Sequence, residues 1–139
     1  EAGGEVIGVI TEQFNTNQLA HAQLTHMEIT SSMHARKARL VEISDAFVIL
    51  PGGYGTFDEF FEIVTWAQIG IHRKPIGLLN IDGYYDPLLQ MVQKASYYGF
   101  IYPGHDTLFV SDPTPAKILP ALEQYKSPKD LNRWVERAD

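Results

Sequence analysis

Apolar residues along this chain fall into two alternating patterns, short unbroken runs and longer stretches in which they recur every three or four positions. Residues 6–10, Val-Ile-Gly-Val-Ile, read as a buried strand, and the polar stretch 11–18 as a loop. A second, short strand is expected over 26–30. From Ser32 on, Met33, Arg36/Lys37, Leu40/Val41 and Ile43 follow a helical period, with Ser31 or Ser32 placed to cap the first turn. Residues 47–50 are a strand, and 56–71 a helix whose apolar face carries Phe57, Phe60, Phe61, Val64 and Ala67. Another strand spans 75–81. Asp86-Pro87 sets a cap residue before a proline at the start of a helix that runs to about Tyr98 and stops at Gly99. A short strand at 108–110 precedes the same start signal, Asp112-Pro113, for a helix to about Tyr125. Ser127-Pro128-Lys129-Asp130 then opens an amphipathic C-terminal tail over 127–139.

Strands that are apolar throughout belong to sheets covered on both faces, and strands separated by helices belong to parallel ones. The pattern therefore predicts an α/β fold, a doubly wound parallel sheet with helices on both faces, in a single domain over 1–139. The chain opens on Glu1 and enters a strand almost at once, so it is expected to be N-terminally incomplete, an upstream strand and helix being absent. Ligands of such sheets bind outside the carboxyl ends of the strands.

One of those ends carries the most informative segment, Pro51-Gly52-Gly53-Tyr54-Gly55-Thr56-Phe57-Asp58-Glu59. Glycines between a strand and a helix let the backbone approach a bound group, and the helix start offers unpaired N–H donors and the positive end of its dipole. A phosphate suits that place. The plain alternative is a tight turn, but three glycines exceed what one turn needs. The segment lacks the lysine of a P-loop and does not match Gly-x-Gly-x-x-Gly. Glu59 has two readings: a group facing the cleft, or the last member of a capping box opened by Thr56. Glu62 and Trp66 share its stripe, which fits a cleft wall or a dimer contact.

Met33-His34-Ala35-Arg36-Lys37, with Arg39, forms a basic cluster at a helix start. Such clusters are usually solvated faces. Positive charge there opposes the helix dipole, which suggests an outside anion, and the planar fork of Arg36 suits phosphate or carboxylate.

Composition narrows the remaining choices. With 139 residues, 45% hydrophobic and 20% charged, the chain suits one globular domain with a core. No apolar run approaches the roughly 20 residues of a membrane span, and no leader opens the sequence. No membrane association is expected, and a soluble, cytoplasmic protein is. Zero cysteines exclude disulfides, thiolate metal sites and cysteine nucleophiles. A net charge of −6 argues against a nucleic-acid surface. The five histidines offer no metal site: His26-Met27-Glu28 resembles the His-x-Glu of zinc deaminases but lacks their cysteine pair.

On Met33-His34-Ala35-Arg36-Lys37 and the segment from Pro51 to Glu59, at this separation, the chain closely resembles the LOG ("lonely guy") family of cytokinin riboside 5′-monophosphate phosphoribohydrolases, which also carry the label of lysine decarboxylases. The resemblance continues through Trp66-Ala67-Gln68-Ile69-Gly70 and Asp82-Gly83-Tyr84-Tyr85-Asp86-Pro87 to about Tyr125; the family's first strand and glycine-rich turn are what it lacks. It implies a Rossmann-like homodimer that hydrolyses the N-glycosidic bond of an AMP-like nucleoside 5′-monophosphate, giving free base and ribose 5-phosphate without a cofactor. It further implies Arg36 and Glu59 as the catalytic pair, Gly52, Gly53, Gly55 and Thr56 as phosphate ligands, and Met33, Lys37 and Glu62 as base or ribose contacts. A different class, a nucleotide-binding sensor without turnover, shares these features. The decarboxylase label fits poorly, because that chemistry needs pyridoxal phosphate on a lysine with a partner for its ring nitrogen, in a larger scaffold.

Overall fold

The computed structural model describes residues 3–16, 21, 23–129 and 131. The chain folds as two compact units, Glu1–Ser44 and Asp45–Asp139.

In the first unit, strands β1 (Ile7–Thr11) and β2 (His26–Thr30) pair in parallel, from Ile7 opposite His26 to Thr11 opposite Thr30. A single 3-10 turn, Glu12–Phe14, follows β1. Helix α1 (Met33–Ile43) starts at Ser32, whose hydroxyl accepts the Ala35 N–H at 3.1 Å and so decides between the two candidate caps. Two arginines tie α1 to the sheet. Arg36 donates from Nε to the Val9 carbonyl (2.9 Å), and Arg39 grips the Glu28 carboxylate with two nitrogens (2.6 and 3.0 Å) while also meeting Glu42 at 3.0 Å. The Arg39 hydrogen bonds hold Glu28 below the usual carboxylate range. Arg39 thus serves the fold rather than an outside anion.

In the second unit, β3 (Phe47–Ile49), β4 (Ile76–Leu79) and β5 (Val110–Asp112) form a parallel sheet in that order. Helices α2 (Tyr54–Gln68), α3 (Asp86–Tyr97) and α4 (Pro115–Glu123) make the connections and the C-terminal cover. The central strand β4 is buried along its whole length, as its unbroken apolar sequence requires. Gly77 in its middle has a packing reason: a Cβ there would lie 2.9 Å from Ile118 Cγ1 and 3.1 Å from Leu122 Cδ2, so α4 rests directly on the strand. Phe60 of α2 is buried, its ring edge-on to Phe109 with centroids 5.1 Å apart. The fold is α/β with parallel sheets flanked by helices, as the periodicity predicts.

Several boundaries move, each for a local reason. Helix α2 begins at Tyr54 with Gly53 as its N-cap, two residues before Thr56, and its buried residues are Phe60, Ile63 and Ala67, while Phe61 is 47% exposed. Asp86 does not cap α3; its carboxylate accepts from Asn80 Nδ2 at 2.7 Å, and Asp86 is itself the first helical residue. Gly99 ends that helix as expected, with φ 77° and backbone bonds from Gly99 to Ser96 and from Phe100 to Ala95. The strand expected at 108–110 lies at 110–112, because Leu108 is buried after the 3-10 turn His105–Thr107 rather than in the ladder. Thr114 and Pro115 start α4; Asp112 instead accepts from the Thr114 N–H and hydroxyl (2.8 Å each), which draws its carboxyl down from its usual range. The amphipathic tail expected over 127–139 lies mostly outside the described residues.

His72 gives the second unit a testable pH dependence. It is buried, its Nδ1 accepting the Lys74 N–H at 3.2 Å, which leaves Nε2 to donate to the Ile63 carbonyl at 2.9 Å. Burial, with Lys74 nearby, pushes its pKa below the ordinary 6.5 despite the Ile63 bond. A histidine whose folded pKa lies below its unfolded one adds stability above the unfolded value, lost as pH falls through 6.5 toward the folded value. The thermal midpoint is therefore expected to fall between pH 7 and 5.5, where carboxylates stay ionised, and to fall less in His72→Gln.

Candidate functional site

The turn from β3 into α2 is built from Leu50-Pro51-Gly52-Gly53, and Gly55 already lies in the first helical turn. None of Gly52, Gly53 and Gly55 has a positive φ, so left-handed backbone is not the reason for glycine here. Space explains one of them. A Cβ on Gly52 would collide with the Thr56 hydroxyl and lie 2.9 Å from Thr56 Cβ, because the Thr56 side chain folds back over the turn. Among the described residues, nothing lies within 4 Å of a Cβ built on Gly53 or Gly55. The protein's own packing thus leaves room for side chains at both. The N-cap of α2 is Gly53, which has no side chain to offer as a cap. The first N–H groups of a helix have no partners within the helix, and they are the donors an anion would use.

With Gly53 as N-cap, Thr56 and Glu59 do not form the capping box that the sequence left open. Glu59 is the sixth residue of α2, in its second turn and out of reach of that role. Glu59, Glu62 and Trp66 are all half-buried and follow one another at spacings of three and four, whereas Asp58 is exposed. The stripe expected beside the apolar face of α2 is present.

The basic motif lies in the first unit. Met33 and Arg36 line a groove of about 650 Å³ whose walls are mostly apolar, including Val9, Ile10, Phe14 and Leu24. The bond from Nε to Val9 fixes the plane of the Arg36 guanidinium. Lys37 is half-buried on the next position of α1 and is not among the residues lining this groove. The structure therefore groups Met33 with Arg36 in one unit, and Gly52, Gly53, Gly55, Thr56, Glu59 and Glu62 in the other.

Tyr84 and Tyr85 brace the glycine turn. Tyr84 donates its hydroxyl to the Gly52 carbonyl and Tyr85 to the Leu50 carbonyl, each at 2.6 Å. Burial, helped by Tyr84, raises the Tyr85 phenol, and a backbone hydrogen bond from Gly52 opposes this. Asn80, at the end of β4, delivers both rings. Its side-chain oxygen accepts the Tyr85 N–H at 2.6 Å, its amide holds Asp86, and the chain between turns through left-handed Asp82 (φ 51°) and Gly83 (φ 71°). The only signal for this in the sequence is the Asp82-Gly83 turn before two tyrosines, which does not say what they reach.

These features define a parallel α/β protein with a glycine-rich strand-to-helix turn and carboxylates along the following helix. Residues 1–122 match the family described as possible lysine decarboxylase, and the chain belongs to that family. Among curated proteins it is 50% identical, over 123 residues, to the probable cytokinin riboside 5′-monophosphate phosphoribohydrolase LOGL9 of Oryza sativa subsp. japonica, covering 88% of this chain and 54% of the relative. It is 45% identical over 125 residues to the cytokinin riboside 5′-monophosphate phosphoribohydrolase LOG3 of Arabidopsis thaliana, covering 90% and 58%. LOG5 of the same plant, which bears the same description, is 44% identical over 138 residues, covering 96% and 60%. The chain spans about half to three-fifths of the length of the relatives it matches.

Proposed function

We propose that this protein hydrolyses the N-glycosidic bond of an adenosine 5′-monophosphate, with or without an N6 substituent, to free base and ribose 5-phosphate. The observation that carries the proposal is the start of α2, where no described residue lies within 4 Å of a Cβ built on Gly53 or Gly55 and the N-cap residue has no side chain. In this reading Gly52, Gly53, Gly55 and Thr56 hold the 5′-phosphate on the first-turn N–H groups and the Thr56 hydroxyl. Glu59 lies six residues from Gly53, about 9 Å along the axis, and helical side chains tilt back toward the N-terminus. That offset suits a ribose laid between the phosphate and the carboxylate.

The chemistry follows from those positions. As the bond between C1′ and the base nitrogen breaks, its electron pair leaves with the base and positive charge grows on the sugar. Glu59 stabilises that charge and takes a proton from the attacking water, whose oxygen becomes the C1′ hydroxyl of ribose 5-phosphate, and the proton ends on the nitrogen of the departing base. Arg36, the other member of the catalytic pair, neutralises negative charge on the phosphate or on the departing base. Met33, Lys37 and Glu62 contact base or ribose.

The family's description suggests a different reaction, for which the residues present are a poor fit. Amino-acid decarboxylation runs on pyridoxal phosphate held by a lysine and balanced by a partner at its ring nitrogen. Lys37 is the lysine of the basic motif, and two carboxylates of the same unit, Glu28 and Glu42, are engaged by Arg39.

We further infer a homodimer of a cytoplasmic protein, with no nucleic acid or membrane as partner. Exposed Met91, Tyr97, Tyr98 and Phe100 on and after α3 supply an apolar surface for a second copy, and the net charge of −6 disfavours polyanions. The functional test is a panel of nucleoside monophosphates and nucleosides with the full-length protein. Base release from AMP or an N6-substituted AMP, and not from the nucleoside, is expected. Equal turnover of both would remove the phosphate seat, and tight binding with no release would make the protein a sensor.

A further inference from the structure

We propose that Tyr84 and Tyr85 are positioning residues for the phosphate seat, Tyr84 by turning the Gly52–Gly53 peptide so that the Gly53 N–H faces the ligand. The inference rests on the reading of the glycine turn given above and adds residues that reading does not use.

A carbonyl and the N–H of the same trans peptide point in opposite directions, and no peptide in the described chain is cis. Holding the Gly52 oxygen at 2.6 Å therefore aims the Gly53 N–H away from Tyr84. Without that bond the peptide between two glycines, with no described residue within 4 Å of a Cβ on Gly53, has little to stop it from flipping. A flipped peptide presents a carbonyl oxygen to an anion instead of an N–H. Tyr85 acts one step earlier: it pins the Leu50 carbonyl, and with Pro51 next in the chain the strand end has no N–H of its own to anchor it.

The brace is itself rigid. The rings of Tyr84 and Tyr85 meet edge to face at 4.9 Å, Phe57 of α2 lies edge-on to Tyr85 at 6.4 Å, and Tyr85 is only 1% exposed. Tyr84 is about half exposed, so removing its hydroxyl leaves the ring contact and the core intact.

The test is Tyr84→Phe in the full-length protein, read three ways: calorimetric Kd for inorganic phosphate, kinetics with AMP, and hydrogen exchange of the amides over 52–55. The loss of one hydrogen bond is expected to raise the phosphate Kd and the KM together by about three- to tenfold, with kcat within about twofold. Exchange over 52–55 should quicken while the thermal midpoint moves by only a few degrees. Unchanged Kd and unchanged exchange would overturn the proposal, as would a lower midpoint with unaltered Kd, the mark of a purely structural contact. A wild-type protein that neither binds phosphate nor cleaves AMP overturns the reading of the seat itself, and the exchange rates then still report whether Tyr84 holds the turn. Tyr85→Phe, which strips a buried carbonyl of its partner, is expected to lower the midpoint as well as weaken phosphate binding.

Discussion

Replacing Glu59 by glutamine is expected to reduce release of base from a nucleoside 5′-monophosphate by roughly 10²–10⁴-fold while leaving substrate binding measurable. The substitution keeps size and one acceptor oxygen but removes both the negative charge that steadies the developing oxocarbenium ion and the base that takes water's proton. Because α2 is capped at Gly53 and Glu59 sits in its second turn, the change does not touch the helix start. Its thermal midpoint should therefore stay within a few degrees of wild type. Were Glu59 a capping residue, the opposite would hold, with stability falling and turnover surviving. Rate and melting temperature measured on the same preparation separate the two, and retention of more than a tenth of wild-type kcat would rule out the assigned role.

The second large effect is expected at Gly53, and there activity and stability should move in opposite directions. Gly53 has an extended backbone (φ −100°, ψ −151°) that any residue adopts, and a side chain there meets nothing within 4 Å among the described residues. Aspartate is a better N-cap than glycine, and its charge suits the helix dipole. Gly53→Asp should thus stabilise the fold by a few tenths to about 1 kcal/mol, a small rise in melting temperature. The same carboxylate would occupy the N–H groups proposed for the phosphate and repel it. KM for the monophosphate should rise by at least about 100-fold, the order of 3 kcal/mol expected when a favourable charge-assisted contact becomes a repulsive one. A variant that is more stable and equally active would show that no anion sits at this turn.

The two experiments bear on different parts of one arrangement. Glutamine at 59 leaves the phosphate seat whole and removes the chemistry; aspartate at 53 leaves the carboxylate of Glu59 in place and fills the seat. If both variants behave as expected, with Tyr84→Phe falling between wild type and Gly53→Asp in phosphate affinity, then turn, brace and catalytic carboxylate act as separable parts.

Much of this was legible in the chain because the signals are local. An unbroken apolar run marks a buried strand, as residues 76–79 do, and recurrence every three or four residues marks a helix, as from Met33 onward. Glycine in a strand-to-helix turn marks close approach, and the paired motifs around Arg36 and Glu59 mark the family. The same signals mislead at their edges. Asp86 and Asp112 look like helix caps by spacing, yet each carboxylate found a better partner nearby, Asn80 for one and Thr114 for the other. Thr56 and Glu59 have capping-box spacing, but the helix had already begun at Tyr54.

The sequence by itself thus determined the order of strands and helices and the glycine turn, since each depends on neighbours within a few positions. Only the tertiary structure decided that Gly53 rather than Thr56 caps α2, that Arg39 belongs to Glu28, and that Tyr84 and Tyr85 hold the turn. The physical reason is distance along the chain: the bonds from Tyr84 to Gly52 and from Tyr85 to Leu50 join residues 32 and 35 positions apart. Such contacts exist only after β3 and β4 have paired, and no local periodicity encodes them.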